Sequence, residues 1–199
     1  MVNGNKTNHN SSSSTRPLTW EHNTIIRHLG VQALLSAKYI ILKIINFIMS
    51  IRKMNFFDLS QVTHLYQDAN IFAKKKDIWA WTEDGLIKYP SLNLVYEQDS
   101  KIIGAVSAVS KKNKKVEIND IVVLEGLRSK KIGSKLMGAL LNILKKENVK
   151  EISLWVHWSN AAAIPFYYRF GFKIRKCLKT KNISGVPDGE DIIYLEKFI

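Results

Sequence analysis

With 199 residues, 46% hydrophobic and 24% charged, the chain has the makeup of one or two soluble globular domains, which excludes a disordered or fibrous protein. A single cysteine, Cys177, excludes an internal disulfide and fits a reducing, cytoplasmic setting, while five scattered histidines give no zinc-ligand spacing and no metal is expected. The formal net charge of +13 invites a nucleic-acid partner, but no nucleic-acid motif accompanies it and none is expected.

Residues 1–23 are polar and low in complexity, so a disordered tail is expected there. Residues 24–48 turn apolar, most densely from Tyr39 onward, but Lys43 interrupts the run and it falls short of the ~20 residues that span a bilayer. Three readings stay open for this extension: a docking or interfacial helix with weak membrane contact, a marginal anchor, or a segment dispensable to the working domain, which is expected over residues 49–199.

From there the elements alternate. Residues 51–54 read as a short strand, 58–70 and 77–88 as helices, with Gly85 and Pro90 as breakers. Residues 92–97 and 102–110 read as strands joined by a turn at 98–101, and 116–124 as a third, apolar and β-branched. Leu136, Met137, Leu140, Leu141 and Leu144 form one stripe of a helix over 132–147. A strand over 151–158, a helix over 161–170 and strands over 172–178 and 191–198 complete the series. The pattern predicts an α/β fold with a mixed, largely antiparallel central sheet and helices on both faces.

Three stretches carry chemistry. Arg128-Ser129-Lys130-Lys131-Ile132-Gly133-Ser134 opens a helix, where unpaired N–H groups and basic side chains suit a pyrophosphate and a glycine allows close approach; a plain solvated helix start is the alternative. Asn160, 27 residues after Gly133, precedes Tyr167 in the run that ends at Phe172. Asn160 either caps a helix or meets a ligand, and Tyr167 is either a buried structural phenol or a proton donor to a departing thiolate. Glu117, Asn119 and Asp120 are unusually polar for so apolar a strand, and one carboxylate suits a base; Glu117 pairing with a lysine such as Lys115 is the other reading. Strict alternation puts Glu117 and Asn119 on one face with Ile121 and Val123, and Asp120 on the opposite one. His157 reads as structural or substrate-lining.

Ile121-Val122-Val123, the turn from Arg128 to Ser134, and the run from Asn160 to Phe172 together resemble the GNAT superfamily of acetyl-coenzyme A-dependent N-acetyltransferases. Among them the chain looks most similar to ribosomal-protein alanine acetyltransferases and catalytic subunits of protein N-terminal acetyltransferases, a likeness to which Asp188-Gly189-Glu190-Asp191 adds. The resemblance implies that the backbone of Ile121, Val122 and Val123 pairs with the pantetheine arm of acetyl-coenzyme A. It further implies that Arg128, Ser129, Lys130, Lys131, Ile132, Gly133 and Ser134 hold the pyrophosphate and that Asn160 meets the pantetheine or a water. Tyr167 is then the general acid, Glu117 the base, and the amine attacks directly with no covalent intermediate and no role for Cys177.

Three departures accompany the likeness. Lys131 replaces the first glycine of the usual turn, Trp155 stands where a His is frequent, and Leu178-Lys179-Thr180-Lys181 replaces a tyrosine pair. The last two weigh against a protein N-terminus as acceptor and leave acetyl transfer standing. The acceptor region is expected near Trp79, Trp81, Tyr89 and the loop over 182–191. The implied activity is acetylation of a protein or peptide amine, with a small-molecule amine or a catalytically silent coenzyme-binding module as alternatives.

Overall fold

A computed structural model describes Met1 and residues 20–69, 74–181 and 186–199, with side chains from 27–41, 50–68, 74–181 and 186–199. Most of the expected tail, the end of the helix expected over 58–70, and part of the loop over 182–191 lie outside these residues. The chain divides into two units, residues 1–45 and 46–199. In the first, α1 (Trp20–Ile48) is one 29-residue helix whose described side chains are all exposed. Among the described residues no helix is long and apolar enough to cross a membrane.

The second unit is built on one seven-stranded sheet, in the order β1 (Met49–Lys53), β2 (Leu94–Gln98), β3 (Lys101–Lys111), β4 (Lys115–Val123), β5 (Glu151–His157), β7 (Asp191–Phe198) and β6 (Lys173–Lys179). Every neighbouring pair is antiparallel except β4 and β5. Two tight turns make the first hairpins: Asp99 and Ser100 (φ 50° and 61°) and Asn113 and Lys114 (φ 60° and 56°). Positive φ at both turn residues matches the twist of the strands they join. The parallel pair needs a crossover, which α4 (Ile132–Lys146) supplies.

Two apolar cores sandwich the sheet. On one face the α4 stripe of Leu136, Met137, Leu140 and Leu144, all fully buried, packs with Val106, Ala108, Ile118, Leu154 and Phe172. On the other, α2 (Leu59–Ala69) and α3 (Lys75–Lys88) bring Val62, Leu65, Tyr66, Ile78 and Leu86 onto Val95, Ala105 and Val122. At Gly104 the side chains of α4 press on β3: a Cβ there would stand 3.1 Å from Ile132 and Leu136 and 3.2 Å from the Val122 carbonyl. Any larger residue would lift the start of α4 off the sheet.

Arg52 ties β1 to the entry of α2. Its guanidinium grips Asp58 at 2.6 and 2.8 Å and Glu97 at 2.6 Å. Asp58 also accepts from the Asn55 N–H, completing a capping box. Burial alone would push the Asp58 carboxyl up, but the Arg52 and Asn55 hydrogen bonds and Arg52's charge outweigh it and hold the group below its ordinary range.

Two elements differ from the sequence expectation. The helix expected over 161–170 is a 3-10 segment (Trp158–Ala163) followed by the short α5 (Ile164–Tyr168). Pro165 has no N–H for a continuous α-helical ladder, and Asn160 holds a non-helical φ of −106° and ψ of 20°. The second difference is a bulge between β3 and β4. Ala108 opposes Ile118 while Ser107 opposes Asp120, leaving Asn119 as the extra residue. Cross-strand partners share a face, so Glu117 (opposite Val109), Asp120 (opposite Ser107) and Val122 (opposite Ala105) point to the α2–α3 side. Ile118, Ile121 and Val123 point to the α4 side. Strict alternation had separated Glu117 from Asp120; the bulge reunites them.

Candidate active site

The sheet opens at its centre. The β4–β5 ladder begins at Lys115–Glu151 and stops at Ile118–Leu154, although β4 continues to Val123 and β5 to His157. Beyond that point β4 still pairs with β3 as far as Gly104–Val123, and β5 with β7 as far as His157–Ile192. The β5-facing edge of residues 119–123, including Ile121, Val122 and Val123, therefore offers backbone groups to a wedge-shaped gap. An extended ligand arm entering it could pair as another strand.

At the end of β4 stands the basic turn. A 3-10 segment (Glu125–Leu127) leads to Arg128, whose Nε lies 3.4 Å from the Val123 carbonyl. Ser129 and Lys131 both adopt left-handed backbone, at φ 67° and 62°. Lys131 is the N-cap of α4 without a side-chain cap bond, so the N–H groups of the first turn, Ile132, Gly133 and Ser134, look outward without helical acceptors. Arg128, Ser129, Lys130 and Lys131 are exposed around them. Lys131 thus holds a backbone angle that favours glycine. Gly133 has no such need: a Cβ there would meet Phe166 and Val123 at an ordinary 3.6 Å.

Left-handed backbone costs a residue with a Cβ roughly 1–2 kcal/mol, and glycine's extra chain entropy returns about half of any relief. Lys131→Gly is accordingly expected to stabilise the ligand-free protein by about 0.5 kcal/mol, a rise in Tm of about 1–2 °C in a thermal melt.

Tyr167 lies on α5, buried, its ring edge-on to Phe166 and Phe172 at 5.3 and 6.0 Å. Burial, and then the charge of Asp120, push its phenol up to about 12. Asn160 is exposed in the 3-10 segment and caps nothing; His157 caps instead, its Nδ1 accepting from the Ser159 N–H at 3.3 Å. His157 Nε2 stands 3.5 Å from Glu190, which accepts from Trp158 Nε1 at 3.0 Å.

Glu117 is half-buried and ion-paired to Lys111 at 3.1 Å, while Lys115 pairs with Glu151 instead. The other carboxylate on that face is Asp120, which the sequence offered beside Glu117 as a candidate base and the family resemblance passed over. Asp120 lines a small cavity of about 50 Å³ together with Tyr66, Trp81, Thr82, Asn93 and Ser107. Although the residue keeps some exposed surface, its carboxyl is packed round by protein, and burial pushes it up to about 6. The buried Tyr66 hydroxyl lies beside Ser107 but makes no hydrogen bond of good geometry. Burial and Asp120's charge push that phenol up as well. An acid followed directly by Ile121-Val122-Val123 was the signal available in the sequence.

Of the expected acceptor region, Trp79 and Trp81 are exposed and Tyr89 is half-buried against the larger core. The described end of the β6–β7 loop is clamped by buried Thr180, whose hydroxyl donates to the Pro187 carbonyl at 2.5 Å and accepts from the Glu190 N–H at 2.9 Å. Trp155 stacks on Tyr194 at 4.6 Å, and Lys176 stands over both rings, on the half of the sheet that α2 and α3 leave open. Among the described residues no group of His, Cys, Asp or Glu could hold a metal ion.

Residues 56–172 match the acetyltransferase (GNAT) family. The chain belongs to that family. Over 100 residues this GNAT chain is 31% identical to a spermidine N(1)-acetyltransferase of Thermoplasma acidophilum, a match covering 50% of the chain and 55% of that relative. It thus spans about half the length of that curated relative. The fold superposes on Ard1 from Thermoplasma volcanium with a TM-score of 0.67 and 23% identity, covering 76% of the chain and 98% of the other. Arabidopsis thaliana Naa50, solved with a bisubstrate analogue joining coenzyme A to an acetylated MVNAL peptide, gives a TM-score of 0.63 and 24% identity over 76% of the chain and 99% of the other. The residues at the wedge fit such a coenzyme: a strand edge for its amide-bearing arm, and free N–H groups with three cations for its phosphates.

Proposed function

We propose that this GNAT protein is an acetyl-coenzyme A-dependent N-acetyltransferase acting on a protein or peptide amine. The observation that carries the reading is the wedge between β4 and β5 with the electropositive start of α4 at its end. Ile121, Val122 and Val123 align the pantetheine arm, Arg128 to Ser134 take the pyrophosphate, and Asn160, exposed at the end of β5, meets the arm from the other side. The thioester carbonyl then lies where the strands part. An amine arriving from the α2–α3 side, once neutral, attacks that carbon, a C–N bond forms, the C–S bond breaks, and Tyr167 gives its proton to the departing sulfur. Glu117 and Asp120, on the side the amine arrives from, are the carboxylates available to take its proton.

The cavity beside Asp120 supports a bulky acceptor lying outside it. At about 50 Å³ it has room for about three waters and none for a polyamine, so the body of the substrate rests on the open face near Trp155, Tyr194 and Glu190. The spermidine-acetylating relative keeps a small polyamine as the second reading. The work is assigned to residues 49–199, with 24–48 dispensable, in a reducing cytoplasmic setting that suits exposed, unpaired Cys177; no nucleic-acid or membrane partner is needed.

A thermal melt of the full chain tests this reading. Acetyl-coenzyme A at about a hundred times its dissociation constant should add roughly 2.7 kcal/mol, a rise of about 5–10 °C. An unchanged Tm at millimolar ligand would sink it.

A further inference from the structure

We propose that Asp120 is the group that receives the acceptor amine's proton, and that the cavity between Tyr66, Ser107 and Trp81 is that proton's way out to water. This rests on the acetyl-transfer reading above and changes its chemistry at one residue, because the family position for the base is Glu117. Three observations separate the two carboxylates. The first is place: Glu117 lies where β4 is still paired to β5, opposite Ser153, whereas Asp120 follows the last paired residue, Ile118, by two positions and borders the opening. The second is partnership. Glu117 is already engaged in an ion pair with Lys111, while among the described residues no ion pair reaches Asp120.

The third is the surroundings. From α2 Asp120 faces Tyr66, from β3 the neutral Ser107, from α3 the neutral Trp81 and Thr82, and from α5 the phenol of Tyr167 lies within electrostatic reach. A buried phenol beside a water-sized polar cavity has a partner only if water occupies it, and the same waters reach the Asp120 carboxylate. The bulge at Asn119 builds this arrangement; without it Asp120 would point at α4.

The proton count closes. An alkylammonium gives one proton to the Asp120 carboxylate and becomes a nucleophile; that proton leaves through the cavity and is the one released in the net reaction. After the C–N bond forms, nitrogen loses a second proton, which restores the Tyr167 phenol that gives its own to sulfur as the C–S bond breaks. A link between the two ends of the reaction follows. Asp120's negative charge is one of the two causes that hold the Tyr167 proton on; once Asp120 is protonated that hold ends, so Tyr167 becomes a stronger acid as the thiolate departs.

The test is thiol release by the full chain from acetyl-coenzyme A between pH 5 and 9, with spermidine and the peptide MVNAL as probe amines. For the wild type, kcat/KM should fall tenfold per pH unit below about 6, because protonated Asp120 accepts nothing. Asp120→Asn should lose roughly 10²–10³-fold in kcat and the acid limb with it, while its acetyl-coenzyme A melt shift stays. Glu117→Gln should leave the acid limb in place. Tyr66→Phe, which removes only a hydroxyl, should move the limb to higher pH by withdrawing the group that orders the cavity water against the carboxylate. An acid limb that survives in Asp120→Asn, or that vanishes in Glu117→Gln, overturns the assignment to Asp120 and leaves acetyl transfer intact. A wild type that releases no thiol with either amine overturns both.

Discussion

Tyr167→Phe is expected to lower kcat by about 10²–10³-fold while leaving the melt shift with acetyl-coenzyme A unchanged, since in the proposed reaction the phenol acts only when sulfur departs. The substitution is structurally mild. The ring is buried against Phe166 and Phe172 and stays so in Phe, and the hydroxyl makes no hydrogen bond to the described residues and, unlike that of Tyr66, is not sealed from solvent. Held at about 12 by burial and by Asp120, the phenol keeps its proton throughout the physiological range, so it can donate but cannot act as a base at rest. Single-turnover kinetics with a saturating amine should show the loss in kcat and not in KM. A kcat within threefold of wild type would remove Tyr167 from the chemistry and leave it as a wall of the core.

Leu136→Ala should be the most damaging of the core truncations near the site, costing about 3–4 kcal/mol and lowering Tm by about 10 °C. Leu136 is fully buried on α4, and its Cδ1 stands over Gly104, where β3 passes directly beneath the helix. Nothing flexible adjoins the space it would vacate: Val106, Ile132 and Leu140 are themselves buried. The cost therefore includes a cavity as well as lost transfer energy. Because the first turn of α4 holds the N–H groups at the end of the wedge, the same variant should also bind acetyl-coenzyme A more weakly. Equilibrium denaturation and a ligand titration together would show both effects; a loss below 1 kcal/mol would mean the helix settles without its anchor.

Much of this was legible in one dimension. The leucine stripe of α4 repeats at helical spacing, the strands alternate or run apolar, and Arg128 to Ser134 announce a charged helix start, since each signal lies within a few residues of itself. The helix expected after Asn160 failed for a reason also local, though weighted too lightly: Pro165 cannot donate, so the chain takes 3-10 turns first. The lysine partner of Glu117 was another matter. Lys115 is its neighbour in sequence, yet on a strand residues two apart lie nearly 7 Å along the chain, and the hairpin brings Lys111 to Glu117 while the parallel register brings Glu151 to Lys115.

Periodicity, turn chemistry and charge order, all local, thus determined by themselves the mixed sheet, its crossover helix and the basic turn that opens it. Which carboxylate stands beside the opening was decided by the tertiary structure. One extra residue at Asn119 reverses every side chain that follows it along β4, and whether a strand absorbs such a residue depends on the packing of β3 beneath it and of α2 and α4 on either face, contacts that join positions dozens of residues apart.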